Sequence, residues 1–481
     1  MTDPVAWIVL LPLFWATLAF VIGPEHGGRL AFAGLAVQLA LALTVAQDVS
    51  GGAVRVHSVG GWDAPLGIEL LADGLAAAML LLTQTVALPL ALYARAYFRV
   101  HPECGRYFWP LTGFLLAAMN AMFLSADVFN IYVTLELVGL AAVGLVASGG
   151  GGAPAIVAAL RYLFATLLGS GAYLLGVALL YGTYGSVSLS VLAPLVNENA
   201  PAAVLLAAGL MLTGLMLKTA LVPFQFWLPP AHGGAPAPVS ALLSALVIKA
   251  SFYLIMRLWL TLYMPLTVPA AAQLLGMLGG AAILWGSFMA LRQAHLKMLV
   301  AYSTVAQIGY LFLLFPLVTQ TPPETVQSAT QGVVMQIFAH GLAKAAMFAA
   351  AGAVILSTGH DEIAHLGGIS SRLPLTLFTF SMAGVTLMGL PPSSGFLAKW
   401  LLIDAAISSR QWGLILVMIV GGLLTAAYVF KVLRHAFLKA EQSTTFRRLP
   451  RMLEWPAFIL ALASLLLGLR AGDLVNLAVA P

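Results

Sequence analysis

The chain has 481 residues, 61% of them hydrophobic and only 8% charged. A soluble domain carries about 25% charged residues to cover its surface, so that class is excluded. The formal net charge of +5 is small for the length and spread among loops, which reads as membrane topology and not as a nucleic-acid patch.

Apolar runs of about 18–25 residues recur from end to end, the length of bilayer-crossing helices and not of barrel strands. The fold class expected is therefore an all-α polytopic membrane protein with about fourteen crossings. In chain order they fall near 5–22, 30–47, 67–96, 108–125, 127–148, 154–182, 202–228, 236–262, 271–291, 297–317, 329–357, 373–404, 411–438 and 455–471. The opening stretch, "MTDPVAWIVLLPLFWATLAFVIG", has no basic region before its apolar run and reads as a retained first helix. The single cysteine, Cys104, lies in the polar loop "RVHPECGRYF" and can make neither an intramolecular disulfide nor a cluster of cysteine ligands.

The loops give orientation. Arg95, Arg99 and Arg106 lie between helices 3 and 4, Arg292 and Lys297 between 9 and 10, and Lys431, Arg434, Lys439, Arg447, Arg448 and Arg451 at or after the end of 13. The even joints carry mostly Asp48, Asp63, Asp127, Glu198 and Glu324. By the positive-inside rule the odd face is cytoplasmic, which predicts both termini on the outer, periplasmic side of the plasma membrane. Arg257, at the end of helix 8, breaks the pattern.

Five charged residues sit deep in five different predicted spans: Glu136, Lys218, Lys249, Lys344 and Lys399, with His340 one turn before Lys344. At roughly 2.5–3.5 kcal/mol each, facing lipid unpaired they would cost on the order of 12–18 kcal/mol. They are therefore expected to face the bundle interior. Structural pairing is one use for them. A proton relay is the other, because a lysine in low dielectric gives up its proton readily and a nearby carboxylate opposes that loss. Two of the lysines adjoin proline-interrupted helices: Pro223 follows Lys218, and "GLPPSSGF" with Pro391 and Pro392 precedes Lys399. Such breaks free backbone carbonyls, which are tolerated at membrane depth only when protein or water covers them.

Smaller expectations attach to other polar residues. His232, in "PPAHGGAP", is a possible proton entrance, and Asp73 a member of an aqueous vestibule. His360, Asp361, Glu362 and His365 form a cluster in "TGHDEIAHLGG" that reads as a solvated loop or partner contact, with no metal assigned. No Walker A loop, dinucleotide fingerprint or cysteine framework is present, so no cofactor and no autonomous catalytic chemistry is expected.

Five ordered blocks resemble a known family, the antiporter-like subunits shared by Mrp-type cation/proton antiporters and respiratory complex I (its N, M and L subunits). "ADVFNIYVTLELVGLAAVGLVA" looks like the family's fifth helix with its glutamate, and "LKTALVPFQFWLPPAHGGAPAPVSALLSALVIK" like its broken seventh helix and its eighth. "HLKMLVAYSTVAQIGYLF", "FAHGLAKAAMFAAAGAV" and "GLPPSSGFLAKWLL" look like the later blocks, ending in a broken twelfth helix. "VGGWDAPLGIELLADGLAAAMLLLT" resembles the D-type member of the Mrp antiporters in particular.

The resemblance implies three N-terminal helices (1–107), a five-helix repeat (108–262), an inverted second repeat (271–438) and a last helix (455–481). It implies that Glu136 modulates Lys218, that Lys249, His340 and Lys344 carry protons laterally, and that Lys399 is the terminal donor or acceptor. Two positions depart from the family pattern: Gln225 stands where a histidine is common, and Arg161 where a lysine is common. The function expected is proton translocation in a multi-subunit Na+/H+ antiporter, with other membrane subunits as partners. A proton-pumping subunit of a redox complex (NADH:quinone oxidoreductase or membrane-bound hydrogenase) and an energy-coupling subunit of a non-redox uptake system are the alternatives.

Overall fold

The computed structural model describes residues 3–150, 152–266, 269–439 and 446–480. The terminal residues Met1, Thr2 and Pro481, whose side of the membrane the loop charges predict, lie outside that set. Among the described residues, thirteen helices are long and apolar enough to cross a membrane, and two shorter ones follow each other where the sequence predicts a single broken crossing.

The first six are α1 (Pro4–Ile22), α2 (Pro24–Ser50), α3 (Gly74–Val100), α4 (Phe108–Leu124), α5 (Val128–Ala147) and α6 (Gly152–Tyr184). A short α7 (Leu189–Leu195) leads to α8 (Ala202–Thr219), which stops well before the expected 228. After that break come α9 (Leu228–Gly234) and α10 (Ala237–Leu242), the latter running through a π turn, Leu243–Val247, into α11 (Ile248–Leu258). The second half holds α12 (Pro269–Arg292), α13 (Leu296–Phe312), α14 (Leu314–Val318) and α15 (Pro323–Thr358). It continues with α16 (Ile369–Arg372), α17 (Pro374–Met388), α18 (Ser394–Ser408), α19 (Trp412–Ala436), α20 (Trp455–Leu466) and α21 (Ala471–Ala478).

One expected boundary moves for a clear reason. The third crossing begins at Gly74 and not near 67, because β1 (Arg55–Ser58) and β2 (Glu69–Ala72) pair antiparallel in the preceding loop. Asp73 then caps α3, accepting from the Ala76 N–H at 2.9 Å. Hydropathy alone does not separate a short apolar strand such as β2 from the start of a span.

Burial sorts the helices. The segment containing α10 and α11, then α15 and α13, is enclosed almost entirely by protein, whereas α1, α19 and α20 keep most of their surface outward. Small residues let the walls approach. A Cβ on Gly214 of α8 would lie 2.2 Å from the Gly169 carbonyl of α6, and one on Gly309 of α13 would lie 2.3 Å from the Gly279 carbonyl of α12. Backbones this close gain van der Waals contact that lipid cannot replace. The intramembrane cations on α11 and α15 thus belong to helices with almost no lipid face.

Candidate functional site: a buried polar axis

Lys218 occupies the last turn of α8, where the helix ends at Ala220 in a left-handed conformation (φ 55°). Its stem runs beside Gly169, and Nζ donates to Thr166 Oγ1 at 2.5 Å and to the Leu135 carbonyl at 3.3 Å. Glu136 is the next residue along α5. It lies within electrostatic range of Lys218 without an ion pair between them among the described residues, and its Oε1 is buried with no hydrogen-bond partner. The Leu217 carbonyl at the break accepts from the Ala220 N–H at 3.2 Å and from Trp227 Nε1 at 2.9 Å, and the Trp227 ring stacks on Tyr162 at 4.2 Å. Gln225, the departure from the family histidine, is half-buried beside this turn, and its Oε1 has no partner. Arg161 is exposed and lines an open recess with Pro230 and Gly233.

Lys249 begins beyond the π turn, and its ammonium donates to the carbonyl of Ser244 inside that turn. The Ser244 hydroxyl meets Thr304 Oγ1 on α13 at 2.9 Å, and Thr304 bonds back to the Val300 carbonyl at 3.1 Å. Lys344 on α15 donates to the same Val300 carbonyl at 3.0 Å and to the Ser303 hydroxyl. Lys249 and Lys344 are therefore joined through a few atoms of α13. His340 is fully buried one turn before Lys344, within electrostatic range of both lysines, and neither ring nitrogen has a protein partner.

The second lysine beside a break uses its freed carbonyls directly. Lys399 Nζ donates to the Leu387 and Met388 carbonyls, at 2.8 and 2.9 Å, where α17 ends. It also sits 4.6 Å over the Tyr310 ring, a cation–π contact. Gly389 makes the geometry fit: its φ is +82°, and a Cβ there would lie 2.6 Å from Lys399 Cδ.

A set of uncharged residues, absent from the sequence expectations, lies between the two ends. Ser303, Gln307 and Tyr310 fall on one face of α13 at helical spacing. Gln307 donates to the Leu387 carbonyl at 3.3 Å, the acceptor that Lys399 also uses, and accepts from Gln336 of α15 at 2.9 Å. Tyr310 donates to the Met418 carbonyl at 3.2 Å. The signal lies in "STVAQIGY" as a polar stripe at i, i+4 and i+7, but neutral residues cost too little in a membrane to stand out.

Three other placements differ from their sequence setting. Lys297, counted among loop charges, is buried in the first turn of α13 and donates to the Gly233 and Ala235 carbonyls at the end of α9. His232 is fully buried, with its ring 4.9 Å from Phe348 and within electrostatic range of Lys297, Lys344 and Lys249. Neither of its ring nitrogens has a protein partner. Asp73 binds Arg257 in a half-enclosed ion pair at 2.8 Å, and Tyr253 supports the same guanidinium, so the apparent topological exception is a bonded interior arginine. In the 360–365 cluster, Asp361 accepts from His295 at 2.8 Å and from the Lys297 N–H at 3.2 Å, closing the start of α13. No group of three or more potential metal ligands forms among the described residues.

The axis from Glu136 to Lys399 lies wholly inside residues 125–425, which match the family model "NADH:quinone oxidoreductase/Mrp antiporter, TM". Among curated relatives, the N subunit of the NADH-quinone oxidoreductase of Desulforudis audaxviator is 36% identical over 441 residues, covering 90% of this chain and 86% of that protein. The D-type Na(+)/H(+) antiporter protein of Alkalihalophilus pseudofirmus is 30% identical over 439 residues, covering 91% and 87%. A chain of the Mrp complex from Dietzia sp. DQ12-45-1b superposes with a TM-score of 0.89 at 27% identity, covering 99% of this chain and 96% of that one. With its motif blocks, its broken helices and its whole length accounted for in this way, the chain belongs to the NADH:quinone oxidoreductase/Mrp antiporter transmembrane family.

Proposed function

We propose that this chain is the proton-translocating subunit of a multi-subunit Na+/H+ antiporter in the plasma membrane. The observation that carries the reading is a line of polar contacts in two stretches along α13: from Lys249 through Ser244, Thr304 and Val300 to Lys344 and Ser303, and, one turn further on, from Gln307 through the Leu387 carbonyl to Lys399. Lys218, set between Thr166 and the backbone beside Glu136, serves as the loading site of the first half-channel. His340 and His232 serve as exchange sites between the lysines, since a buried imidazole without protein partners is suited to bonding mobile water. Residues 108–262 and 271–438 act as the two half-channels, each containing a lysine beside a helix break. The cytoplasmic face is the one bearing the odd-joint arginines and lysines, which places both termini outside.

The 36% identity to an oxidoreductase subunit favours a second reading, a proton pump driven by electron transfer in partner subunits. Purification of the tagged chain from its own membranes in mild detergent, with mass spectrometry of what accompanies it, separates the two. Small hydrophobic subunits without redox proteins support the antiporter; Fe–S, flavin or hydrogenase subunits overturn it in favour of the pump. Within either assembly, Lys218→Ala should abolish ion-coupled flux while leaving the complex intact, and wild-type flux in that variant refutes the relay.

A further inference from the structure

Away from the axis, a recess of about 390 Å³ opens where the start of α2, the end of α3 and the start of α4 meet. Arg29, Arg95 and Arg99 line it against a single carboxylate, Glu25, and the remaining wall includes Phe98 and Trp109. None of the three guanidinium groups makes an ion pair or hydrogen bond among the described residues. Arg29 and Arg99 are exposed and Arg95 is half-buried, so three cationic groups share one recess with one carboxylate to offset them. Beside the recess the surface is suited to lipid: Val21 and Phe20 at the end of α1 are exposed, and Phe20 stacks on Tyr107 at 6.5 Å. Aromatic rings at helix ends mark the headgroup level of a bilayer.

We propose that this recess binds the phosphate of an anionic phospholipid. Planar guanidinium forks match phosphate oxygens in paired hydrogen bonds. Basic pockets between transmembrane helices take such headgroups. Phe98 and Trp109 close the wall with their ring edges, and the exposed Phe20 and Val21 beside them supply apolar surface for the glycerol and the first acyl carbons, which a free phosphate ion does not need. The bound lipid would cement α2, α3 and α4 to one another at the face carrying the basic loops.

The test uses the intact complex purified by its tag from native membranes. Tightly held phospholipid is extracted and counted for wild type and for the Arg95→Gln/Arg99→Gln variant. Wild type should retain about one more anionic lipid per chain than the variant. Nanodiscs then distinguish the source. Phosphatidylglycerol should raise the unfolding midpoint of delipidated wild type over that in phosphatidylcholine, and the double variant should lose that rise. Inorganic phosphate added to phosphatidylcholine discs should have no effect; a rise equal to that from phosphatidylglycerol overturns the lipid assignment. Equal lipid retention in both proteins overturns the site. So does loss of a co-purifying subunit from the variant with its lipid unchanged, which would make the arginines a protein interface. Arg95→Lys keeps the charge without the fork and should retain lipid at a level between the two.

Discussion

Gly389→Ala tests whether the second helix break is shaped around its lysine. Alanine at φ +82° costs about 1–2 kcal/mol in the backbone alone. The new methyl would lie 2.6 Å from Lys399 Cδ, so the lysine stem must swing aside. Nζ is held by two carbonyls at 2.8 and 2.9 Å, and displacement sacrifices at least one of them. A hydrogen bond to a charged group contributes about 1.5–3 kcal/mol. The sum is about 2.5–5 kcal/mol, and ion-coupled flux should fall with it. In a Lys399→Ala background only the backbone part remains, so the double-mutant cycle should return a coupling of about 1.5–3 kcal/mol. Equilibrium unfolding in mixed micelles measures the four stabilities, and proton flux in everted vesicles reports activity. Gly209→Ala, with open space around its Cβ, is the control and should stay within about 1 kcal/mol of wild type. Equal destabilisation by Gly389→Ala in both backgrounds refutes the packing argument, as does a variant with wild-type stability and flux.

Asp73→Asn removes the partner of an interior arginine and should destabilise by about 3–5 kcal/mol at neutral pH, read by the same unfolding titration. Burial pushes the Asp73 carboxyl up, but the hydrogen bond and charge of Arg257, with the Ala76 N–H, outweigh it and hold the carboxyl below its ordinary value. A depressed carboxyl adds stability that is present above the unfolded-chain value and lost as pH falls through the folded one. The gap between wild type and Asp73→Asn should therefore be full at neutral pH and close below about pH 4. Lys297→Met strips the Gly233 and Ala235 carbonyls of their donor, at about 1–3 kcal/mol for each acceptor left short. Lys297→Arg should recover most of that stability, and equal stability of Met and Arg variants would argue against a capping role. Gln307→Leu loses two neutral hydrogen bonds that connect Lys344's side of the bundle to Lys399. Flux should drop about tenfold with assembly unchanged on a native gel, whereas undiminished flux would remove α13 from the path.

The membrane class, the approximate crossings and the charged members of the site were legible in the sequence, because each is written in hydropathy. A lysine inside an apolar run is conspicuous at the level of composition, since lipid makes every charge expensive. Glu136, Lys218, Lys249, Lys344 and Lys399 announce themselves for that reason. Pro223 and Pro391–Pro392 likewise reveal the two breaks, because a missing N–H is a property of the residue and not of its surroundings.

Tertiary structure decided what those groups touch. Nothing local in "LKTALVP" tells Lys218 to reach Thr166 across to α6, or keeps it a bond short of Glu136. Lys297 reads as a loop charge because the polar run "RQAH" stands just before it, yet the end of α9 folds over it and turns it into a cap. Asp73 and Arg257 stand 184 residues apart and neutralise each other only because α3 and α11 place them side by side. The neutral stripe Ser303, Gln307 and Tyr310 gains meaning only once α15 and α18 bring a lysine to each end of it. Hydropathy is a sum over single residues and can be read in order along the chain. Hydrogen bonds are made between pairs, and which pairs meet is settled only by how the helices pack.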